Sequence, residues 1–124
     1  MWNSFIELVL EQLEAREVAM PKAVFDGEVI AESEDTIVVE GNHYFPPDSV
    51  NAAYLQASSE RTVCPWKGVA SYHDVVANGK TVRGGAWYYR DPSPAAAEIK
   101  DYLAFWRGVK VEGASRLGSM FSRS

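Results

Sequence analysis

The sequence predicts a mainly β domain, built as two packed antiparallel sheets or an open barrel, with a helix at its N-terminus and a short helix near its C-terminus. Three observations lead there. The hydrophobic pattern changes from a helical to an alternating period at Lys22. Asp26-Gly27 and Asn78-Gly79 are hairpin dipeptides of the primed-turn type, each flanked by apolar residues. Short segments rich in β-branched and aromatic residues follow one another with tight turns between them, as in sandwiches and barrels. A chain of 124 residues buries about two-thirds of its unfolded surface, enough for one core.

Residues 1–19 read as an amphipathic helix. Ser4 and Glu7 match a capping box. Phe5, Leu8, Val9 and Leu13 form one apolar stripe, widened by Ile6 and Leu10. This extension, through Met20, is expected to dock on the sheet or on a second copy of the chain, giving a homodimer. Pro21 ends it, because a proline disfavours helix for the residue before it.

Ala23-Val24-Phe25 and Glu28-Val29-Ile30-Ala31 are the arms of the first hairpin. Thr36 to Glu40 is the third strand, Gly41-Asn42 bends the chain, and His43-Tyr44-Phe45 is a short strand stopped by Pro46-Pro47. Asp48-Ser49 caps a helical turn through about Tyr54, and residues 56–60 read as polar loop. Arg61 to Trp66 is a strand that Pro65 confines to an edge or a bulge. Val69 to Ala77 and Lys80 to Arg90 form a long hairpin, with a bulge or kink at Gly84-Gly85. Ser93 and Pro94 then suit the N-cap and first position of a helix to about Tyr102. Phe105 through Val111 is a last strand. The domain therefore spans residues 21–113, and 114–124 is a tail without periodicity.

Composition excludes several function classes. One cysteine, Cys64, rules out an internal disulfide framework and a Cys-pair zinc site. A net charge of −5 leaves no footprint for nucleic acid. No apolar run approaches the roughly 18 residues of a membrane span. Glu7 and Glu11 interrupt the first apolar stretch, and no basic residue precedes it, so it does not read as a signal peptide. A cytoplasmic, reducing compartment is the default. No Walker loop, GxGxxG, nucleophile elbow or HExxH occurs, so no residue receives a catalytic role and no cofactor is expected.

Cys64-Pro65-Trp66-Lys67-Gly68 is the most unusual segment. Two readings of it stand side by side. Trp66 and Lys67 point into a cleft as an aromatic wall and an anionic anchor, or Cys64 and Trp66 are core and Lys67 snorkels at a turn. Trp87 and Tyr89 share one face of their strand and Tyr88 takes the other. Tyr72 is a polar handle in a pocket or a core residue. Glu40 and Asp48 are either a carboxylate pair for acid–base work or Mg²⁺, or plain turn residues. His43, His73 and Cys64 match no zinc spacing, and no metal site is expected.

Five motifs occur in one order: Lys22-Ala23-Val24-Phe25; Glu40 through Pro46; Cys64 through Tyr72; Ala86-Trp87-Tyr88-Tyr89 with Pro92; and Ala104-Phe105-Trp106. Together they resemble the small bacterial domain-of-unknown-function family 427, over residues 21–113. The resemblance implies a nucleotidyltransferase-like label. Gly118-Ser119 is followed by no acid, however, so the paired-carboxylate metal motif of nucleotidyltransferases is missing. It also implies a β-tent architecture like that of the Mss-four-like proteins, B-type methionine sulfoxide reductases and the thalidomide-binding domain of cereblon. Their Cys-pair zinc does not carry over to a chain with one cysteine. Their aromatic pockets do offer an analogy.

The leading expectation is a domain that binds a small aromatic or nucleotide-like anion in a pocket lined by Tyr44, Trp66, Lys67, Tyr72, Trp87 and Tyr89. The alternatives are a metal-dependent nucleotidyl- or phosphoryl-transfer enzyme using Glu40 or Asp48, and a non-catalytic protein-interaction module.

Overall fold

Three dipeptides with both residues in the left-handed region organise the chain: Asp26-Gly27 (φ 51° and 78°), Glu40-Gly41 (53° and 80°) and Asn78-Gly79 (53° and 76°). Both central residues positive is the signature of the type I′ turn, whose twist matches that of the strands it joins. The computed structural model describes residues 20–113. The helix expected over 1–19, the homodimer expected through it, and the tail 114–124 lie outside the described residues.

The strands are β1 (Lys22–Phe25), β2 (Glu28–Glu32), β3 (Ile37–Val39), β4 (Asn42–Tyr44), β5 (Leu55–Cys64), β6 (Gly68–Ala77), β7 (Lys80–Tyr89), β8 (Ala104–Phe105) and β9 (Lys110–Glu112). All strand pairs are antiparallel, in three sheets ordered β2-β1-β9, β3-β4 and β5-β6-β7-β8. The mainly β prediction holds. Where two packed sheets or an open barrel were expected, the described residues form three sheets, and none of them closes into a barrel.

The four-stranded sheet is covered on both faces along β6, β7 and β8, while β5 at its edge has no buried residue. Val75, Ala86 and Phe105 pack on one face against Ala23 of β1, Ile30 and Ala31 of β2, and Phe45. Ala70, Tyr72, Trp87, Tyr89 and Ala104 pack on the other against Tyr44, Ala96 and Ile99, with Ile37 and Val39 of β3 alongside. Strand alternation produces this split, since neighbours such as Ala86 and Trp87 enter different cores. Tyr44 and Phe45 likewise point to opposite cores, and both are fully buried. Phe45 joins the sheets by exchanging backbone hydrogen bonds with Leu103, at 2.7 Å and 2.9 Å.

Several expectations change. Residues 56–60 belong to β5, which continues through a register shift between Ala57 and Arg61 and lies at a sheet edge. The edge position is the one Pro65 requires, and the strand ends just before it. The helical turn expected at 48–54 is a pair of 3₁₀ turns, Pro47–Ser49 and Ala52–Tyr54. The helix expected to reach Tyr102 is a kinked 3₁₀ segment, Pro94–Ile99, broken at Ala96 (φ −117°). Its end is drawn back onto the sheet, where the Asp101 N–H donates to the Tyr89 carbonyl at 3.0 Å. Ser93 does start it, but the hydroxyl donates to the Trp66 carbonyl and leaves the helix uncapped.

The strand expected over 105–111 is two, β8 and β9, because Arg107 adopts φ 64° in a turn between them. The Gly84-Gly85 irregularity is present. The β6–β7 register shifts between His73 and Val75, Gly84 is at φ 60°, and its N–H donates to Asp74 Oδ1 at 2.7 Å.

Phe45 packs edge-on to Phe105 at 5.6 Å, within the core that joins the first hairpin to the long sheet. Phe45→Ala is expected to destabilise the domain by about 3–5 kcal/mol in urea unfolding. A loss below about 1 kcal/mol would mean that this core is not shared between the sheets.

Candidate functional site

The site forms where the 64–68 corner meets the turn at Glu40-Gly41. Pro65 cannot donate to the ladder, so the chain leaves β5 after Cys64 and turns. It re-enters at Gly68 (φ 115°), where an added Cβ would lie 3.4 Å from the Asp91 carbonyl. The segment after β7 pins the corner: the Ser93 N–H donates to the Lys67 carbonyl at 2.9 Å, and its hydroxyl to that of Trp66.

This corner carries Lys67 inward. Lys67 is only 6% exposed, and its Nζ lies 5.0 Å from the Trp66 ring centroid and 5.6 Å from that of Tyr89. Aromatic faces attract an ammonium but do not replace its hydration, so burial needs an anion. Glu40 provides it. Its Oε1 pairs with the ammonium, and its Oε2 accepts a long hydrogen bond, 3.5 Å, from Trp66 Nε1–H. Burial is the largest single influence and works against the charged lysine, but the Glu40 hydrogen bond together with the charge interactions with Tyr44, Tyr89 and Cys64 holds the ammonium above its ordinary pKa. The same bond from Lys67 holds the Glu40 carboxyl below the ordinary carboxylate range, against the cost of desolvation.

The sequence-predicted site residues all lie on one side of the four-stranded sheet, in two groups. Trp66, Lys67, Tyr89 and Tyr44 surround the ion pair. Trp87 bridges to the second group: its Nε1–H donates to the Tyr44 hydroxyl at 3.1 Å, the two rings meeting edge-on at 6.0 Å. Tyr72 sits on the far side, with its hydroxyl 2.8 Å from Thr62 Oγ1 and its ring stacked on Trp106 at 6.3 Å. Trp106 also meets Trp87 edge-on at 5.1 Å, and its indole donates to the Gly84 carbonyl at 2.7 Å. Tyr44, Tyr72, Trp87 and Tyr89 are all buried, whereas Trp66 is 42% exposed. Trp66 is thus the one of the five rings that presents a free surface.

Burial raises the Tyr89 phenol to about 12 and raises Tyr44 as well, the Trp87 hydrogen bond partly offsetting the latter. Both phenols stay protonated at neutral pH. Cys64 flanks this group. Desolvation disfavours its thiolate, but the backbone N–H groups of Lys67 and Trp66 prevail and lower its pKa. Of these partners, sequence reasoning gave Glu40 a chemical role only in a carboxylate pair with Asp48, and it gave Trp106 no role beyond a motif. The overlooked signal is Glu40-Gly41 itself, a third dipeptide of the Asp-Gly kind.

The residues weighed for metal chemistry are placed otherwise. Glu40 is engaged with Lys67, and Asp48 is exposed on the 47–49 turn. His43 Nδ1 is 2.8 Å from Thr36 Oγ1, while His73 stacks on Tyr88 at 4.9 Å. Burial lowers the pKa of both imidazoles. Among the described residues, no three His, Cys, Asp or Glu side chains gather as a metal-ligand set. No helix among them is long and apolar enough to cross a membrane.

A family model described as a domain of unknown function, DUF427, matches residues 15–116. No curated protein matches the chain.

The Glu40–Lys67 pair makes a pH signature. Glu40 titrates lower in the folded state, so its contribution is present above the unfolded value of about 4.3 and is lost as pH falls through the folded value. Lys67 titrates higher, so its contribution is present below about 10.4 and is lost as pH rises through the folded value. Glu40→Gln is expected to lower Tm near neutrality, and this difference from wild type should vanish toward pH 3. A Tm difference that stays constant down to pH 3 would contradict the pairing.

Proposed function

This chain belongs to the DUF427 family, and on that premise we propose that it is a small-ligand-binding domain whose site takes an aromatic or nucleotide-like anion at Lys67. One observation carries the reading. A lysine ammonium is buried against two aromatic rings, and its counter-charge comes from a side chain that is 52% exposed at a turn. A structural ion pair needs no such asymmetry. A binding cation does, since it must stay fixed and dehydrated while the anion facing it exchanges.

In this reading Lys67 anchors the anion and the exposed face of Trp66 stacks the ligand's ring. Tyr89 and Tyr44 floor the site. Trp87 holds that floor through its indole hydrogen bond to the Tyr44 hydroxyl, and Tyr72 packs farther along the same face. The aromatic cluster on one face of the main sheet suits the β-tent likeness and the ligand pockets of that architecture. A reducing, cytosolic setting suits a lone thiol at the rim.

A second reading, a protein-interaction module, is favoured by a different feature. Val63 and Val69 face each other across β5 and β6 and are 76% and 52% exposed, an apolar pair at a sheet edge.

The two readings separate in a thermal-shift screen of nucleotides, aromatic carboxylates and aromatic phosphates. Wild type is expected to gain Tm with at least one such anion, and Lys67→Met to bind it at least about tenfold more weakly, as loss of a charge-assisted hydrogen bond implies. Trp66→Ala, which leaves the ion pair in place, is expected to lose ring-dependent affinity. If no anion in the screen shifts wild type or changes its tryptophan fluorescence, the ligand-binding reading fails.

A further inference from the structure

We propose that Glu40 occupies the subsite of the ligand's own carboxylate, so that the ligand is an aromatic monocarboxylate that binds by exchanging with Glu40. This rests on the reading of Lys67 as an anion anchor and names the class of anion.

The first support is how the carboxylate is held. Glu40 uses both oxygens on two adjacent residues, Oε1 on the Lys67 ammonium and Oε2 on the Trp66 indole N–H. One ammonium beside one edge-on N–H fits a flat, two-oxygen group. The Trp66 contact is long, 3.5 Å, so the resident carboxylate leaves part of that donor's capacity unused. The Tyr89 ring centroid lies 5.6 Å from the Lys67 ammonium and the residue is 4% exposed, so an aromatic face closes the subsite on that side. A ligand carboxylate can engage the indole N–H more fully than Glu40 does.

Charge selects carboxylate over phosphate. Among the described residues, Lys67 is the one cation within salt-bridge distance of Glu40, so the subsite offers a single positive charge. A carboxylate balances it. A phosphate monoester brings about −1.5 to −2 at neutral pH and would leave excess negative charge in a desolvated site.

Mobility is divided to match. Lys67 is fixed from both sides by the 64–68 corner and by the Ser93 bonds to that corner. Glu40 stands at the tip of the β3–β4 hairpin in a type I′ turn, with Gly41 also exposed. That turn is set by backbone conformation and strand pairing from Ile37–Tyr44 to Val39–Asn42. The side chain can therefore swing into water with the hairpin intact. It departs only when another anion replaces it, because an unpaired ammonium at that depth is costly. Glu40 thus keeps the cation neutralised in the empty site and raises the concentration of ligand needed to fill it.

The test uses the full chain with 2-naphthoate and 2-naphthyl phosphate, two probes sharing a ring and differing in headgroup, followed by calorimetric titration and by the Trp66 indole N–H resonance. Glu40→Gln is expected to bind 2-naphthoate at least about tenfold more tightly than wild type, by removing the competing carboxylate. It is expected to prefer 2-naphthoate to the phosphate, and the Trp66 N–H resonance should move on binding. Glu40→Asp, which keeps the charge and shortens the reach, should fall between, and it serves if the glutamine variant folds poorly. If either anion binds wild type but the Glu40 variants leave 2-naphthoate affinity unchanged, or if the phosphate binds more tightly, the inference about Glu40 fails while the Lys67 site stands. If no anion, these probes included, binds wild type or either variant, the Lys67 site itself fails.

Discussion

The stretch from Ala86 to Tyr89 sends side chains to both sides of its strand, and the rest of the domain is arranged to satisfy it. Ala86 enters one core, Trp87 and Tyr89 enter the other, and Tyr88 packs along the first. A sheet with two apolar faces cannot leave either in water, so it needs cover on each. The β2-β1-β9 sheet covers one face. The β3–β4 hairpin and the 94–99 segment cover the other. Tyr44 and Phe45 are the hinge of this arrangement, adjacent residues buried in opposite cores.

The same cover creates the electrostatic feature. Bringing the β3–β4 hairpin, with its Tyr44, over Trp87 and Tyr89 sets its turn beside the Cys64–Gly68 corner, where Glu40 reaches Lys67 across 27 positions of sequence. An ammonium among aromatic rings is stable there because a carboxylate meets it. The pairing raises one pKa and lowers the other, while burial keeps the neighbouring phenols protonated. The result is a buried cation, protonated phenols and an indole edge beside an exposed acid. This division between a buried and an exposed charge is what separates the corner from an ordinary surface ion pair, whose two partners are both exposed and whose net contribution is small. Lys80 with Asp26 is closer to that kind, the lysine being largely exposed.

Much of the fold was legible because its signals are local. Asp26-Gly27 and Asn78-Gly79 announce their turns through the φ values they tolerate. Gly84-Gly85 marks a real irregularity in β7. Pro65 correctly demotes its strand to an edge. The misread elements depend on contacts far away in sequence. Residues 56–60 are polar and largely exposed at the sheet edge, yet Gln56 and Ala57 pair with Asp74 and His73 of β6 and residues 58–60 form the irregularity that carries the strand on to Arg61. The 94–99 segment has good helical residues, but Tyr89 captures the Asp101 N–H and keeps the element short.

By itself the sequence determined the mainly β class, two of the three I′ turns, the faces of Trp87, Tyr88 and Tyr89, and the candidacy of Lys67 and Trp66. Period, turn chemistry and residue type act over a few residues and can be read without coordinates. Tertiary structure alone decided that there are three sheets, that the main one is covered on both faces along β6, β7 and β8, and that Tyr72 lies apart with Trp106. It also decided that Glu40 belongs to Lys67 and not to Asp48. Which charge meets a buried ammonium is set by the packing of separate hairpins, and no local pattern encodes the partner.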